Sequence, residues 1–323
     1  MNGDRILRLA LLLAALAMPA AAETPGAKVF RLGQLSPSAA SAELTRDVTL
    51  PELAKLGFSE GRNLVVDSRV GRPSELPGLA RALLAAKPDA IIAIGPDAIR
   101  AAQRQTTTVP IVVFGGDPVS EGYAASLARP GGNLTGVVIL SAELDAKRLD
   151  LLHQAVPSAR RAAALMWQSQ PNRAASEQRM RAVAAAAGLQ LLAFDVAGSV
   201  DYARAFAAMR AADVEMLVIA ASANLYRDTD RLMQLARDAR LPTVCEWAHM
   251  ARAGCLLGYG PSRTELRRRL AYFVARIFGG AAPSALPIET PTLFEFGINL
   301  KTAGLLGLTI PSEVLTRADD VIE

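Results

Sequence analysis

Short apolar runs alternate with amphipathic stretches over most of the chain. The runs are rich in Val, Ile and Leu and are bounded by Gly, Pro, Asn and Asp, which is typical of buried strands. We predict strands at 29–35, 64–70, 90–95, 111–116, 135–140, 162–167, 189–196, 216–222, 243–247 and 256–260. Between them, stretches such as ELPGLARALLAAK carry apolar residues at helical spacing. This alternation indicates right-handed crossovers and parallel sheets covered on both faces, so the pattern predicts an α/β, doubly wound fold.

The pattern also divides the chain in two. With 323 residues, the chain is longer than one hydrophobic core usually covers. Five predicted strands end near Leu140, the long helical stretch AELDAKRLDLLHQAV follows, and VPSARRAAALMW restarts the strand pattern. We therefore predict two lobes with a first boundary near Leu140.

The first 22 residues have the pattern of a cleavable signal peptide. Arg5 and Arg8 precede an apolar run over 9–17, and an A-x-A motif over 20–22 comes before Glu23. The run is much shorter than the roughly 20 residues of a membrane-spanning helix, and no Cys follows it that would carry a lipid. We expect residues 1–22 to be removed and the product to be periplasmic. An uncleaved anchor is the alternative.

The charge of the chain argues against a nucleic-acid partner. Its 35 basic and 31 acidic residues give a net charge of +4, and removal of 1–22 leaves 33 basic and 30 acidic residues. Basic clusters such as RTELRRR, 263–269, are expected on helix faces with acidic residues nearby. Binding to nucleic acid requires a concentrated basic patch with stacking aromatic side chains, so we expect no such partner.

The first candidate ligand residues lie where predicted strands end. In open parallel sheets, ligands bind outside the carboxyl ends of the strands, where Gly-rich connections and helix starts expose backbone N–H groups. The candidates at these ends are Ser36, Pro96, Asp97, Gly115, Gly116, Asp117, Trp167 and Asn224. Taken singly, such small polar residues are also ordinary helix caps.

The stretch FGGDP, 114–118, carries the densest turn chemistry in the chain. Gly115 and Gly116 let the backbone approach a bound molecule closely, and Asp117 offers a carboxylate to a ligand amine. The alternative is that Asp117 only caps the turn before Pro118.

Three further candidates, Glu246, Trp247 and Tyr259, lie beside later strand ends. The rings of Trp167, Trp247 and Tyr259 are suited to stack on an aromatic or apolar ligand. Filling the hinge or the edge of a lobe is the alternative role for each ring. Glu246 is a candidate partner for a ligand amine, or else a hydrogen-bond acceptor at the hinge.

The chain lacks the motifs of common enzymes. Its only histidines are His153 and His249, and it has neither a G-x-S-x-G elbow nor a phosphate-binding Gly-rich loop. His153 lies in the helical pattern LDLLHQAV and is expected to be a partly buried helix residue. We therefore expect a protein without catalytic activity and without a cofactor.

Cys245, His249 and Cys255 form a C-x3-H-x5-C spacing that lacks the fourth ligand of a structural zinc site, so we expect no metal. An exported chain meets an oxidising compartment, which favours a disulfide. However, Cys245 ends one predicted strand and Cys255 starts the next, which places them at opposite ends of a parallel sheet. A disulfide needs Cα atoms within about 7 Å. Two buried thiols are the expectation, and a disulfide is the alternative.

Several longer stretches resemble one known family. They are LGFSEGRN followed by LVVDSRV, FGGDPVSEGYAASLARPGGNLTGV, the stretch from CEWAHMARAG to LPIETPT, and the ending FEFGINLKTAGLLGLTIPSEVLTRADDVIE. Together they are similar to the ABC-transporter substrate-binding proteins that include tryptophan and tyrosine importers. The resemblance covers about 28–323.

The resemblance implies a type I periplasmic-binding fold with two lobes and three crossing segments. It implies one lobe from 28–140 and 247–292, and a second from 141–246 and 293–323. It also implies a monomer that closes on a small molecule, an aromatic or other amino acid-like solute, and passes it to an ABC permease in the inner membrane.

Two other functions remain as alternatives to transport. One is a binding module of the same fold that reports to a membrane receptor or sensor kinase. The other is an exported α/β hydrolase, which is disfavoured because no nucleophile and base pair is present in the sequence patterns.

Overall fold

The computed structural model describes residues 28–170 and 172–323, so the predicted signal peptide, 1–22, lies outside the described residues. Within this part of the chain, the strands form one sheet of five strands and one of seven. All ten predicted strands are present, with ends that differ by at most three residues. No helix of the described residues has both the length and the hydropathy that a membrane crossing requires.

The N-terminal sheet is parallel throughout and has the strand order β2-β1-β3-β4-β5. Its strands are β1 (Phe30–Ser36), β2 (Leu64–Val70), β3 (Ala90–Ile94), β4 (Ile111–Phe114) and β5 (Leu134–Val137). The strand order reverses between β1 and β3, and a doubly wound sheet opens a crevice at such a switch point. Ser36 is the last residue of β1, and Pro96 follows β3, the two strands on either side of it.

The second sheet has the order β12-β11-β10-β9-β8-β6-β7. Its strands are β6 (Arg161–Trp167), β7 (Gln190–Val196), β8 (Met216–Ile219), β9 (Thr243–Cys245), β10 (Leu257–Pro261), β11 (Phe294–Asn299) and β12 (Asp320–Ile322). Strands β11 and β12 are absent from the sequence prediction, and β11 runs antiparallel to β10. The predicted parallel sheet is therefore present, with one antiparallel pair at this edge.

The antiparallel edge follows from the path of the chain. The backbone N–H of Ser262, directly after β10, donates to the carbonyl of Leu293, directly before β11, at 2.9 Å. The chain thus returns to the second sheet at the end where it left, so β11 has to run in the opposite direction to β10.

Helices cover both faces of each sheet. They are α1 (Ala39–Leu44), α2 (Leu50–Lys55), α3 (Leu76–Ala85), α4 (Pro96–Gln103), α5 (Asp145–Ala155), α6 (Arg173–Ala186), α7 (Tyr202–Ala211), α8 (Ala223–Arg227), α9 (Thr229–Asp238), α10 (Arg263–Phe278), α11 (Leu300–Leu306) and α12 (Ser312–Leu315). Helices α2 and α10 pack on one face of the five-stranded sheet, and α3 and α4 pack on the other. Helices α5 and α6 cover one face of the seven-stranded sheet, and α7 and α9 cover the opposite face. Apolar cores on both faces confirm the doubly wound α/β class.

The chain passes between the two sheets at three places: after β5, at Ser262 and before β11. The first and third crossings are joined, because the N–H of Val138 donates to the carbonyl of Glu289 at 2.9 Å. Leu140, in the first crossing, has a φ of 49°, a left-handed conformation that bulky residues rarely adopt.

The second crossing lies later than the resemblance implied. The segment 247–292 was expected in the first lobe, but β10 pairs with β9 and β11 in the seven-stranded sheet. Only α10 and the residues that follow it pack on the five-stranded sheet. The sequence signal is ambiguous here because β9 and β10 are joined by a short 3-10 segment, Ala248–Ala253, instead of a full crossover helix.

Cys245 and Cys255 form a disulfide, so the expectation of two free thiols is wrong. Their Cα atoms are 6.2 Å apart. The geometric argument failed because β9 has only three residues, so its two ends are separated by about 7 Å at 3.3 Å per residue. Both sulfur atoms are buried in the core between the sheet and α9, and the bridge leaves no thiolate for a metal.

We predict that the protein, denatured without reductant, takes up no iodoacetamide and takes up two equivalents after reduction. The disulfide closes a loop with a sequence separation of 10. Loop-closure entropy then gives a loss of about 3 kcal/mol in the free energy of unfolding on reduction. Intact-mass spectrometry counts the alkylated thiols, and urea titrations measure the change in the free energy of unfolding. Alkylation of the unreduced protein would contradict the bridge.

Candidate functional site

A buried ion pair on α5 organises the carboxyl ends of the second sheet. Asp145 and Arg148 are one helical turn apart and both fully buried, with Nη1 of Arg148 2.7 Å from Oδ1 of Asp145. Arg148 also donates to the carbonyl of Glu246, directly after β9, at 3.0 Å and to that of Tyr259, the central residue of β10, at 2.8 Å. Asp145 accepts from the N–H of Ala221, after β8, at 3.1 Å. One pair therefore links three neighbouring strands, β8, β9 and β10.

Two glycines of β10 allow the segment after β9 to lie flat against the sheet. A Cβ atom at Gly258 would overlap the carbonyl of Trp247, and one at Gly260 would overlap the carbonyl of Glu246. Only glycine permits so close an approach between two backbones. Glu246 and Trp247 are thereby held, both largely buried, at the carboxyl edge of the sheet.

Four side chains form a cluster between the two sheets, which we call the interlobe cluster: Tyr226, Trp247, His249 and Arg263. Arg263 begins α10, which packs on the first sheet, whereas the other three belong to the second. Nη1 of Arg263 is 3.0 Å from the Tyr226 hydroxyl and 2.8 Å from Nε2 of His249. Its guanidinium also lies 5.6 Å from the Trp247 ring centre, within cation–π range.

His249 is neutral at pH 7 in this arrangement. Burial, followed by the positive charge of Arg263, lowers the pKa of His249 to about 4. A neutral imidazole is able to accept a hydrogen bond from Arg263 through the nitrogen that carries no proton. The cluster thus contains one cation, two aromatic rings and a neutral acceptor.

Arg267 lies one turn further along α10 and has the most unusual environment in the region. Its side chain is fully buried, its Nη1 donates to Oγ1 of Thr45 at 2.8 Å, and its guanidinium lies 4.0 Å from the ring centre of Phe114. Nε and Nη2 have no hydrogen-bond partner among the described residues. Burial and the nearby charge of Arg263 lower the pKa of Arg267 to about 9, so the group is still charged at neutral pH.

The stretch after β4 has the turn geometry that the sequence predicted. Gly115 and Gly116 both have positive φ, +84° and +74°, which glycine adopts without strain. The Asp117 carboxylate accepts from the N–H of Ser120 at 3.1 Å, so in this structure it caps the turn. That contact corresponds to the alternative role considered for Asp117, and its use by a ligand stays a prediction.

The remaining candidates at the ends of the first sheet lie in local contacts. Ser36 is buried, and its hydroxyl donates to the carbonyl of Ser38 at 2.9 Å. Pro96 is the first residue of α4, and Asp97 pairs with Arg100 at 3.2 Å. These contacts are typical of strand and helix ends.

The remaining candidates of the second sheet belong to three separate strands or to the helix that follows one of them. Trp167, at the end of β6, donates from Nε1 to the Ser169 hydroxyl at 3.1 Å. Asn224, after β8, accepts from Arg227 at 3.1 Å. The Tyr259 ring stacks on Phe294 at 6.0 Å between ring centres.

Of the predicted site residues, only Trp247 belongs to the interlobe cluster. Glu246 and Tyr259 join the Arg148 network through their carbonyls, and Phe114, just before Gly115, underlies Arg267. His153 is a partly buried residue of α5, as predicted.

Sequence reasoning missed Arg263 and Arg267 because RTELRRR was taken as surface charge. The signal was present, since Arg267 shares a helix face with Leu270, Ala271 and Val274, all of which are buried. A charge at helical spacing with core residues indicates a buried group.

The sequence model of the family described as ABC transporter substrate binding protein matches residues 39–322. The chain belongs to this family. The resemblance found in the sequence is therefore confirmed.

This substrate-binding protein is similar to one protein named for tyrosine binding and to one structure that contains L-Trp. This chain is 21% identical to a tyrosine-binding protein of Clostridioides difficile (strain R20291) over 257 residues, which are 78% of this chain and 73% of the relative. A conserved domain protein of Vibrio cholerae superposes with a TM-score of 0.83 at 24% identity, covering 91% of this chain and 100% of that one. An ABC domain of Streptococcus pneumoniae in complex with L-Trp gives 0.82 at 22% identity, with the same coverage. These similarities support the type I periplasmic-binding fold.

We predict that Asp145→Asn lowers the free energy of unfolding of this substrate-binding protein by about 3 to 5 kcal/mol, because it leaves Arg148 buried without its counter-charge. Urea unfolding measures the loss. The matched control is Asp150→Asn, which removes the same charge from an exposed pair with Lys147 on the same helix. That variant should lose less than about 1 kcal/mol. Equal losses in the two variants would contradict the organising role of the buried pair.

Asp117→Ala should lower the free energy of unfolding by about 1 kcal/mol, because it removes the cap on the Ser120 N–H. Asp117→Asn is the matched control, since its amide oxygen keeps the cap while the charge is lost. We expect it to unfold like the wild type. If both variants instead keep wild-type stability and bind solute tenfold more weakly, the carboxylate belongs to the ligand site.

Proposed function

We propose that this chain is the solute-capturing component of an ABC importer. In this role it binds an aromatic or other amino acid-like solute between its lobes and presents it to a membrane permease. The observation that carries the proposal is the family match over 39–322. The protein acts by binding and not by catalysis.

The proposed ligand class rests on two kinds of support. A relative is named for tyrosine binding, and a similar structure contains L-Trp. The interlobe cluster offers matching chemistry, because Tyr226 and Trp247 present aromatic surface beside the Arg263 charge. An aromatic amino acid has a ring that can pack against this surface.

Capture works through closure of the lobes. Three crossing segments connect the sheets, and Leu140 in the first of them has the left-handed backbone conformation that non-glycine residues rarely adopt. A solute that contacts both lobes only in the closed state shifts the population toward that state, which is the form that a permease recognises.

The compartment of action is the periplasm, and the chain acts there as a monomer. The pattern of residues 1–22 supports export through a cleavable signal peptide. Substrate-binding proteins of this family meet their permease at the outer face of the inner membrane, so the mature protein has to be exported.

We predict that an aromatic amino acid raises the melting temperature of the mature protein and reduces its radius of gyration. A solute present at 1,000 times its Kd stabilises the folded state by about 4 kcal/mol. L-Tyrosine, L-tryptophan, other amino acids, purines and sugars form the thermal-shift panel. Small-angle scattering with the best binder then measures closure.

Ribose, which lacks both the ring and the charged groups, serves as the control solute. Failure of every amino acid in the panel to shift the melting temperature would contradict the proposed ligand class. A shift without any change in the scattering curve would remove closure from the mechanism.

A further inference from the structure

The buried guanidinium of Arg267 is incomplete within the described chain. Its only hydrogen bond is the one from Nη1 to Thr45, and both Nε and Nη2 lack a partner in the residues that the structure describes. No Asp or Glu of those residues pairs with it. A fully buried cation without a counter-charge is costly to a folded protein, so the site favours an anion from outside the chain.

The two unpaired groups lie on the same edge of the guanidinium. Nε–H and one Nη2–H point in parallel, which is the arrangement that binds a planar carboxylate through two hydrogen bonds. Other arginines of this chain bind carboxylates through the same edge of the guanidinium. Arg69, Arg173 and Arg269 each bind a carboxylate through Nε and Nη2, with Asp67, Asp195 and Glu289 as partners. Arg267 has the same fork, formed by Nε and Nη2, but no carboxylate of the described residues is bound to it.

The position of this fork agrees with a ligand-binding role. Phe114, under the guanidinium, is the last residue of β4, and Thr45 lies in the connection that follows β1. Arg267 is therefore at the carboxyl edge of the first sheet, where an α/β sheet binds its ligand. Arg263, one turn before it on α10, contacts the second sheet through Tyr226 and His249.

We propose that Nε and Nη2 of Arg267 bind a carboxylate of the captured solute side-on, and that this carboxylate is the group that the protein requires of its ligand. The inference rests on the proposed function and narrows it to solutes that carry a carboxylate. An aromatic ring attached to that carboxylate is then within the region of Tyr226 and Trp247, beside Arg263.

The test compares three probes on the wild-type protein by calorimetric titration. They are L-tyrosine, tyramine, which lacks the carboxylate, and 3-(4-hydroxyphenyl)propanoate, which lacks the ammonium group. We expect the propanoate to bind within about tenfold of L-tyrosine and tyramine to bind at least a hundredfold more weakly, because two charge-assisted hydrogen bonds are lost.

The variant Arg267→Met separates a ligand role from a structural one. Methionine fills similar space without a charge, so the ligand-free variant should melt at or above the wild-type temperature while its affinity for L-tyrosine falls at least thirtyfold. Arg268→Met, an exposed neighbour on the same helix, is the control and should bind like the wild type. Arg267→Lys keeps the charge but not the fork, and should bind with intermediate affinity.

The outcomes distinguish this inference from the proposed function. Tyramine that binds as tightly as L-tyrosine, or an Arg267→Met variant with unchanged affinity, overturns the role of Arg267 and leaves solute capture intact. An Arg267→Met variant that melts several degrees lower and still binds L-tyrosine normally makes Arg267 a structural residue. If none of the probes and no amino acid binds the wild type, the proposed ligand class fails, and this inference fails with it.

Discussion

The ion pair between Asp145 and Arg148 is the interaction on which the crevice side of the second lobe depends. Carboxyl ends of parallel strands expose backbone carbonyls and N–H groups that have no partner in the sheet. Here one buried guanidinium donates hydrogen bonds to two carbonyls, those of Glu246 after β9 and Tyr259 within β10, and its carboxylate partner accepts a hydrogen bond from the N–H of Ala221. Because the pair is fully buried and hydrogen-bonded to all three strands or their following residues, the relative geometry of these strands is fixed.

Arg148 and Arg267 show how differently two buried guanidinium groups are used in one protein. Arg148 has a carboxylate and two carbonyls as partners, so its charge is compensated within the chain. Arg267 has one hydroxyl and one aromatic ring, and its charge is not compensated. A buried charge that has no counter-charge costs the folded protein several kcal/mol. The lobe edges therefore combine one rigid, satisfied network with one unsatisfied group.

The fold was largely predictable because its signals are local. Strands such as 64–70 and 111–114 are apolar runs bounded by turn residues, and the helices between them have clear apolar faces. Strand β11 was missed because FEFGIN follows a crossing between lobes, and its direction depends on where the chain returns. The disulfide was missed because the actual length of β9, three residues, decides whether Cys245 and Cys255 can meet.

The site was less predictable, because it depends on contacts between distant segments. Gly115 and Gly116 were found through turn chemistry, which is local, and Trp247 through its position after a strand. Thr45 and Arg267 are far apart in the chain, and nothing near either residue reveals that they are hydrogen-bonded. The apolar helix face that Arg267 shares with Leu270 was the one local signal that pointed to it.

The central claim is that the solute binds between the carboxyl edges of the two sheets, with its carboxylate on Arg267. A crystal structure of the mature protein with the tightest-binding aromatic amino acid tests it most directly. We predict ligand density between Phe114 and the interlobe cluster, with both carboxylate oxygens within about 3 Å of Nε and Nη2 of Arg267. Density elsewhere on the protein, or a ligand in the crevice whose carboxylate faces away from Arg267, would contradict the claim.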